Sequence, residues 1–581
     1  MFSHLPQLDA IDRRLVEQYL NIYCRETGCV DPRIEAAAFD AMPIRLEQPH
    51  WKNAGLMPFM VRLDGTDARL AGAFTHFSSM GYHRIAPCVW IDRDDGQWSH
   101  LNDAAQLSDL IATELAAKST DPTSKTQDCM TRLQSLMRNS IAKVRRFHDS
   151  GEMPSRSRFM ASEQGLRFGH VFHVTSKASE GFSDEDLANY APELGASFKL
   201  FYFAVASDLL DTRGVGRKTM PVDSAALEFA ADLLVDGEYR LLPCHPWQAK
   251  YLLAQPDIQK LLKAGEMVAL GPQGETAWPT SSVRTVWLPR QNLFLKLSLN
   301  IRITNFIRNN PDEHVKRALD ASQALGLLPL DRTQNDAFYI LPEIGSQTIK
   351  VKDGGLRAAS SVIYRQAMTQ EEAEDIHVVA ALLEESADGD MPLHAVLRQA
   401  AGNREVDQSL IEMWWRRYLD VTLMPLVRLF FDYGISLEAH LQNTMVGFAD
   451  GWPARGYARD MEGTSISRER FPFLDRVASD SPALYGDEEA WHRFQYYVLV
   501  NHVGHVVACL GRLGICSEDA LWKEASKQLA ALHIPLVNAL LDQPTLPAKA
   551  NMLSSFHQHG EAPAWIFINN PLKNQNANEY L

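Results

Sequence analysis

Basic and hydroxyl side chains cluster in one short stretch of an otherwise acidic chain. Residues 279–310 read PTSSVRTVWLPRQNLFLKLSLNIRITNFIRNN. Arginine and lysine are well suited to bind carboxylates and phosphates, and hydroxyl and amide groups add directional donors. The stretch therefore predicts a binding site for an anionic ligand, built from Ser282, Arg284, Thr285, Lys296, Thr304, Asn305 and Arg308.

A β-hairpin is predicted to carry most of this cluster. Extended segments at 282–288 and 293–299 flank a Pro-Arg-Gln-Asn turn. In the second strand alternate leucines share one face, so Lys296 lies on the other face. A solvated strand lysine is the alternative, because charged side chains usually face water. Beyond the hairpin, a spacing of four places Thr304 and Arg308 on one face of a predicted helix start.

A second polar cluster lies at 434–444, which reads GISLEAHLQNT. Gly434 is predicted to end the long apolar helix that precedes it. After this glycine, polar residues alternate with leucine and alanine, which indicates a buried strand whose polar side chains face a cleft. A half-exposed edge strand is the alternative. Carboxylate and amide oxygens suit Mg²⁺, so we predict metal ligands among Glu438, Gln442, Asn443 and Asp460, close to His440.

Several histidines lie outside these clusters. His170 and His173 lie near glycines in the segment that reads EQGLRFGHVFHVTSK, and His245 lies in the motif His-Pro-Trp-Gln. Each of them is more often structural when considered alone. His502 and His505 lie three residues apart on a predicted buried helix, and we interpret them as structural.

Composition excludes several classes of partner. The formal net charge is −15, from 57 Lys and Arg against 72 Asp and Glu. The negative electrostatic potential of such a protein repels polyphosphate backbones. No apolar run is long enough to span a membrane, and the N-terminus has no apolar signal-peptide core. The seven scattered cysteines, an odd number, indicate buried thiols in a reducing compartment. We therefore predict a cytoplasmic protein with neither nucleic-acid nor membrane partners.

The chain is long enough for several structural units. Its 581 residues are about four times the ~150 residues of a typical domain. The first part mixes helices and strands, the middle is β-rich, and helices dominate the last part. We predict an α+β protein with an N-terminal mixed part at 1–150, a central β-rich part at 151–370 and a C-terminal, mainly helical part at 371–581.

The ordered set of motifs resembles the NRPS-independent siderophore synthetases, the IucA/IucC family. The resemblance extends from about Glu163 to the Asn-Pro-Leu at 570–572. In one departure, the family's segment GHPxHPxxK reads GHVFHVTSK here, with valine in place of both prolines. The matching motifs are, in order, His-Pro-Trp-Gln at 245–248, Ser282-x-Arg284-Thr285, Lys296, Thr304-Asn305, Arg308, Glu438-Ala-His440-x-Gln442-Asn443 and Arg459-Asp460.

The resemblance implies an ATP-dependent ligase. Such an enzyme adenylates a carboxylate of citrate or a related polycarboxylate, releases pyrophosphate, and joins the acyl group to an amine or a hydroxyl acceptor. A cupped hand of three subdomains and a homodimer are also implied. By position, the ATP phosphates would be held by His170, Ser282, Arg284, Thr285 and Lys296. The carboxylate substrate would be held by Thr304, Asn305, Arg308 and His440, and Mg²⁺ and the nucleotide by Glu438, Gln442, Asn443 and Asp460.

The residue chemistry agrees with this interpretation, and two alternatives stay open. Bringing a carboxylate against ATP places like charges together, at a cost of roughly 4 kcal/mol per unit pair 4 Å apart for an effective dielectric near 20. Arg284, Lys296, Arg308 and a divalent ion can offset this repulsion, and the resemblance implies Lys296, Arg308 and His440 as the catalytic residues. A small-molecule kinase could use the same cations and Mg²⁺. A non-enzymatic iron-chelate binding module could use His170, His173 and His440, although their spacing matches no clean metal site.

Overall fold

Helices and strands are interleaved along the whole chain. The computed structural model describes residues 7–29, 31–35, 38, 55–93, 96–119, 124–151, 157–235, 237–304, 306–329, 337–386, 389–558 and 564–573. Within these residues the strands form six sheets, so the predicted α+β class is confirmed. The part boundaries near residues 150 and 370 stay a prediction.

The N-terminal region opens on an amphipathic helix, Ala10–Thr27. Asp9 caps it by accepting a hydrogen bond from the backbone N–H of Asp12, and Gly28 ends it in the left-handed region. A five-stranded antiparallel sheet follows, made of Met57–Leu63, Ala68–His76, Arg84–Ile85, Trp90–Asp92 and Ser99–His100. Two helices, Ala104–Ala117 and Ser124–Asp149, complete this region.

The central region is an eight-stranded antiparallel sheet. In spatial order its strands are Leu210–Gly214, Glu343–Ile349, Val362–Gln366, Leu293–Leu297, Thr285–Leu288, Met267–Pro279, Phe198–Ala206 and Tyr239–Cys244. Two short helices, Arg158–Gln164 and Asp184–Tyr190, precede these strands in the chain. Others lie between them: Ser224–Phe229, Ala231–Leu234, Pro246–Leu253, Pro256–Ala264 and Gly354–Ala359. Helix Asp312–Leu325 follows the stretch that carries the basic cluster and packs against strand Glu343–Ile349.

The predicted hairpin is confirmed at the middle of this sheet. Strands Thr285–Leu288 and Leu293–Leu297 pair with Thr285 opposite Lys296. The first strand is shorter than predicted, since residues 282–284 form a turn in which Val283 has a φ of 67°. The strand's leucines pack into the core of the sheet, while Lys296 is buried on the opposite face. The solvated alternative for this lysine is therefore wrong.

The predicted helix start at Thr304 is also wrong. Strands Leu299–Ile303 and Phe306–Arg308 pair antiparallel there, in a small sheet completed by Ser179–Glu180. Isoleucine and phenylalanine dominate this segment and favour strands over helices. The turn between the strands places Thr304 at a φ of 55°.

Helices dominate the C-terminal region, as predicted. They are Val379–Leu382, Pro392–Ala401, Gln408–Val421, Leu423–Tyr433, Asp487–Phe494, Gln495–Val503, Gly504–Gly511, Glu518–Ala530, Pro535–Asp542 and Asn551–His557. Gly434, with a φ of 69°, ends helix Leu423–Tyr433 as expected. Three small sheets complete this region. The first contains Phe338–Leu341, Trp452–Arg459, Thr444–Ala449 and Ile376–Val378, and the second contains Ile435–Ser436, Ser465–Ser467 and Leu484–Tyr485. The third pairs Thr545–Ala550 with Ala564–Asn569.

The predicted strand at the second polar cluster is a loop. Residues 437–443 connect strand Ile435–Ser436 to strand Thr444–Ala449 without pairing to a neighbour. The alternation of apolar and polar residues nevertheless predicts correctly which side chains are buried. Leu437, Ala439 and Leu441 lie in the hydrophobic core, and the polar residues between them lie along a cleft.

One large hydrophobic core joins the two ends of the chain. Its buried side chains run from Leu8 to Leu572 and include the fully buried Trp414 and Trp415. All seven cysteines are free, six of them buried, as predicted. No helix among the described residues is both long enough and apolar enough to cross a membrane.

Candidate active site

A deep cleft of about 460 Å³ lies where the central hairpin meets the loop at 437–443, the segment at 168–177 and the helix at 487–511. Asn305, one of the predicted site residues, lies outside the described residues. The other predicted site residues all line the cleft: His170, Ser282, Arg284, Thr285, Lys296, Thr304, Arg308, Glu438, His440, Gln442, Asn443 and Asp460. Their roles stay predictions.

A buried charge cluster forms the floor of the cleft. Lys296 Nζ lies 2.7 Å from Asp460 Oδ1 and 2.7 Å from Glu462 Oε2. Asp460 has a second cationic partner, because the guanidinium of Arg365 lies 3.0 Å from Asp460 Oδ1. Burial alone would raise the pKa of Asp460, but the charges of Lys296 and Arg365 outweigh it and hold the pKa below its usual value. Both carboxylates are therefore ionised at neutral pH.

Arg284 and Arg308 form a second cationic group. The Arg284 guanidinium donates to the carbonyl oxygens of Arg308 and Asn309, each at 3.1 Å, and to Asn310 Oδ1 at 2.6 Å. Arg308 Nη2 donates to Thr304 Oγ1 at 2.8 Å, so the predicted pair does meet, across a tight turn instead of a helical face. Burial lowers the pKa of Arg308 to about 10, which leaves it charged at neutral pH.

Hydroxyl groups connect the turn that precedes strand Thr285–Leu288 to the loop at 437–443. Ser282 Oγ accepts a hydrogen bond from the Thr285 backbone N–H at 3.2 Å. Gln442 Nε2 donates to Ser281 Oγ at 3.1 Å, and Ser281 in turn donates to Glu163 Oε2 at 2.9 Å. Gln442 is therefore held against the turn that presents Ser282 to the cleft.

Three histidines face the cleft in the same tautomer. Nδ1 of His170 accepts the backbone N–H of Phe172 at 3.1 Å, and Nδ1 of His440 accepts that of Gln442 at 3.2 Å. Nδ1 of His173 likewise accepts a backbone N–H, two residues later. In a neutral imidazole the other nitrogen, Nε2, then carries the proton and is a donor.

Desolvation by the walls of the cleft keeps these rings neutral, although His170 itself is exposed and His173 and His440 are half-buried. It lowers the pKa of His170 to about 3 and that of His173 to about 4, and it lowers the pKa of His440 from its usual value of 6.5. The cleft is therefore lined by three neutral imidazoles beside its fixed cations. Nε2 of His170 lies 3.0 Å from Asn501 Nδ2, and Nε2 of His440 lies 3.4 Å from Asn443 Nδ2.

Three of the eight non-glycine residues with positive φ among the described residues lie at this site. Val283, Thr304 and Asp460 are non-glycine residues with positive φ, at 67°, 55° and 75°. Each such residue costs roughly 1–3 kcal/mol and persists where the surrounding structure enforces it, which is typical of functional sites. All three adjoin or belong to the cluster of charged side chains.

The predicted metal ligands form no closed cage. Among the described residues, no group of three or more His, Cys, Asp or Glu side chains is placed to hold a metal ion. Asp460 is paired with Lys296 and Arg365, and the Tyr497 hydroxyl donates to Glu438. Mg²⁺ often binds through one or two carboxylates together with substrate phosphates. The oxygen donors of Glu438, Gln442 and Asp460 fit an ion that arrives with a nucleotide.

Several residues in and around the cleft were missed by the sequence analysis. Glu462 lies two residues after Asp460 and could have been found from that spacing. Arg365, Glu163 and Arg493 come from distant segments, and only the tertiary structure brings them close. His505, interpreted as structural, is buried on helix Gly504–Gly511 and stacks on Tyr82, and it also lines the cleft.

The remaining histidines fit the structural interpretation. His245 Nδ1 accepts the N–H of Trp247 and caps helix Pro246–Leu253. His502 Nε2 lies 2.6 Å from the Tyr418 hydroxyl, within the core. Neither of them lines the cleft.

Comparison with known proteins identifies relatives over nearly the whole chain. The model of the IucA / IucC family matches residues 158–384, and that of the ferric iron reductase FhuF-like transporter matches residues 412–564. An L-2,3-diaminopropanoate–citrate ligase of Staphylococcus aureus is 35% identical, over 87% of this chain and 89% of that protein. A spermidine–citrate ligase of Bacillus anthracis is 25% identical, over 98% and 97% of the two chains.

Solved structures of two siderophore biosynthesis proteins have the same fold as this chain. The ATP-bound aerobactin synthetase IucA from a hypervirulent pathotype of Klebsiella pneumoniae matches with a TM-score of 0.83 and 24% identity, covering 97% of this chain and 100% of that one. The petrobactin biosynthesis protein AsbB of Bacillus anthracis matches with a TM-score of 0.75. These likenesses establish the fold. Together with the 35% identity over most of both sequences, they show that this chain belongs to the IucA/IucC family of siderophore synthetases.

Proposed function

We propose that this protein is an ATP-dependent siderophore synthetase. It adenylates a carboxylate of citrate or a related polycarboxylate and condenses the acyl group with an amine or a hydroxyl acceptor. The observation that carries the proposal is that Arg284, Lys296 and Arg308, all from one short stretch, line a single cleft with the neutral histidines. The names of the relatives, which are citrate ligases, support the same substrate class.

The cleft addresses the electrostatic difficulty of the reaction. A citrate carboxylate must approach the α-phosphorus of ATP, and both reactants are multiply anionic. Fixed cations in a site shielded from water stabilise the charge that develops as the bond forms. In this proposal Arg284 and Lys296 neutralise phosphate oxygens, and Arg308 with its neighbour Thr304 binds a carboxylate of the acid; the support is that all four line the cleft.

The reaction balances without a covalent enzyme intermediate. A carboxylate oxygen attacks the α-phosphorus, the bond to the bridging oxygen of the β-phosphate breaks, and pyrophosphate leaves. The nitrogen or oxygen of the acceptor then attacks the acyl carbon, AMP leaves with its phosphate oxygen, and the acceptor loses a proton. No nucleophilic side chain is needed, since the chemistry depends mainly on positioning and on charge neutralisation.

Neutral His440 is the proposed donor to the acyl group. Its Nδ1 is occupied by the Gln442 backbone N–H, so Nε2–H faces the cleft. A neutral donor can bond the acyl oxygen without adding a proton that would compete with the acceptor amine. Mg²⁺, when bound with ATP, supplies charge neutralisation at the phosphates, and Glu438, Gln442 and Asp460 would hold it. A cytoplasmic location and a homodimer stay predictions.

Product analysis tests this proposal. The protein is incubated with ATP, Mg²⁺ and citrate, with hydroxylamine as a small acceptor, and the nucleotides are separated by chromatography. We expect AMP and pyrophosphate that depend on citrate, and citryl hydroxamate. Formation of ADP with a phosphorylated acid would instead support the kinase alternative and overturn the proposal. Tight binding of a ferric chelate, without any consumption of ATP, would support the iron-binding alternative.

A further inference from the structure

The ammonium group of Lys296 lies between two carboxylates, where a bound cation would lie. Its Nζ is 2.7 Å from Asp460 Oδ1 and 2.7 Å from Glu462 Oε2, and within the described part of the chain it has no other hydrogen-bond partner. An ammonium group has three N–H donors, so one of them is left for a further acceptor. Both carboxylates line the cleft, with side chains 26% and 19% exposed. The lysine therefore neutralises carboxylates that an incoming ligand can reach.

The charges of the cleft floor are balanced as they stand. Ion pairs join three carboxylates to three cationic side chains, so the formal charge of the group is zero. Its members are Asp460, Glu462, Glu343, Lys296, Arg365 and Arg284. A divalent cation that entered alone would be repelled by three buried cations without gaining a free anion. A triphosphate that enters with the cation brings the missing negative charge.

The carboxylates of this group are held in place by the backbone. Asp460 has a φ of 75°, and the next residue, Met461, donates its backbone N–H to Glu343 Oε2 at 3.2 Å. Glu343 is itself only 1% exposed. On the other side of the turn, His314 Nδ1 lies 3.0 Å from Glu462 Oε1. The turn that carries Asp460 and Glu462 is therefore fixed before any ligand arrives.

The ammonium group is the part of the cluster that can move. Strand pairing on both sides fixes the backbone of Lys296, but its charge lies at the end of a flexible four-carbon stem with rotatable donors. Rotation near the end of this stem can release one carboxylate and keep the other. A charge-assisted hydrogen bond to a phosphate oxygen would replace the contact that is lost.

We propose that Lys296 is an exchangeable counter-ion that keeps a divalent metal ion out of the cleft until a nucleotide enters. Without nucleotide, the ammonium group neutralises Asp460 and Glu462. When a metal–nucleotide complex enters, Lys296 moves its contact from Asp460 to a phosphate oxygen, which leaves the Asp460 carboxylate free for the metal. This inference rests on the proposed function, in which the cleft binds ATP with Mg²⁺, and it adds an order of binding.

Metal binding without catalysis tests the proposal. Mn²⁺ is the probe, because the paramagnetic resonance signal of the free ion is lost on binding. The nucleotide is α,β-methylene-ATP, which cannot release pyrophosphate, and the signal of the same solution without protein is subtracted. We expect the wild type to bind Mn²⁺ weakly alone and tightly with the analogue. Without nucleotide, Lys296→Met should bind Mn²⁺ about tenfold or more tighter than the wild type, since the repelling charge is gone.

Three variants separate the charge of Lys296 from other effects. Lys296→Arg keeps the positive charge, so without nucleotide it should bind Mn²⁺ as weakly as the wild type. Adding Asp460→Asn to Lys296→Met removes the freed carboxylate and should abolish the new binding. Lys143→Met removes a buried lysine that does not line the cleft, and it should bind Mn²⁺ no better than the wild type. Binding of Mn²⁺ to surface carboxylates is common to all of these proteins and cancels in the comparison.

The outcomes separate this inference from the proposed function. If the wild type binds Mn²⁺ without nucleotide as tightly as it does with the analogue, or as tightly as Lys296→Met does, the proposal is wrong. The first of these comparisons needs no variant, so it decides even if Lys296→Met does not fold. Citryl hydroxamate formation reports adenylation separately. A wild type that forms the hydroxamate and binds Mn²⁺ freely keeps the proposed function and loses only this inference.

Discussion

Replacing Lys296 by methionine removes the cation at the centre of the cleft floor while keeping the length of the side chain. Lys296 Nζ lies 2.7 Å from the carboxylates of both Asp460 and Glu462, and its side chain is 6% exposed. Removing one partner of a buried ion pair costs about 3–5 kcal/mol, because the remaining charge is left uncompensated. Arg365 still contacts Asp460, and His314 still contacts Glu462, so we expect about 3 kcal/mol of destabilisation, at the lower end of this range.

The effect on catalysis should be larger than stability alone explains. A fixed cation or donor that faces developing charge contributes about 2.7–4 kcal/mol to the transition state, which corresponds to about 10²–10³ in rate. We therefore expect Lys296→Met to reduce citrate-dependent pyrophosphate release by that factor, measured at a temperature where thermal unfolding shows the variant to be folded. The double variant Lys296→Met with Glu462→Gln should recover stability, since it removes an orphaned carboxylate, without recovering the rate.

A matched control separates the two effects. Lys143 is also buried, with Nζ 2.6 Å from the carbonyl oxygen of Ser179, but it does not line the cleft. The Lys143 ammonium bonds neutral oxygens of Ser179, so Lys143→Met leaves no orphaned carboxylate there and should lose less stability than Lys296→Met, while it should release pyrophosphate at nearly the wild-type rate. If Lys296→Met releases pyrophosphate as fast as Lys143→Met, the cleft floor does not take part in adenylation and the reasoning fails.

Three further changes probe other parts of the cleft. Arg308→Ala should lower citrate-dependent pyrophosphate release by about tenfold or more, since it removes a charge-assisted hydrogen bond; an unchanged rate would remove Arg308 from the site. Burial lowers the pKa of His440 from 6.5, so the ring is neutral above about pH 6.5. The KM for citrate should therefore show no histidine titration between about pH 6.5 and 8. A rise in KM with pH near 7 would show a charged ring instead. Gly463→Ala should abolish most activity, because its Cβ would lie 1.7 Å from Glu438 Oε2. Gly486→Ala, where a Cβ meets nothing within 4 Å, should be active, and equal activities would show that the position of Glu438 is unimportant.

Local pattern was sufficient to predict the central hairpin. The alternation of leucines with Lys296 fixes which face the lysine occupies, because strand side chains alternate strictly. Its partners could not be predicted, since Asp460 lies 164 positions further along the chain. Ion pairs between distant segments form only when the loops that carry them are packed, and sequence spacing contains no information on that packing.

Two wrong predictions have the same physical origin. A spacing of four between Thr304 and Arg308 is compatible with one face of a helix and also with the two sides of a tight turn. The alternation at 437–443 reports which side chains are buried but not whether the backbone pairs with a neighbouring strand. In both segments the side-chain pattern was interpreted correctly as a set of contacts and wrongly as a secondary structure.

The most direct test of the proposed adenylation follows one oxygen atom from citrate to AMP. If the citrate carboxylate attacks the α-phosphorus, citrate labelled with ¹⁸O in its carboxylates must transfer one heavy oxygen to AMP when the acceptor displaces the nucleotide. We predict that mass spectrometry of the released AMP will show this single heavy oxygen, in equal amount to the condensed product. AMP without the label, or ADP as the nucleotide product, would contradict the claim that the cleft joins an acid to the innermost phosphate of ATP.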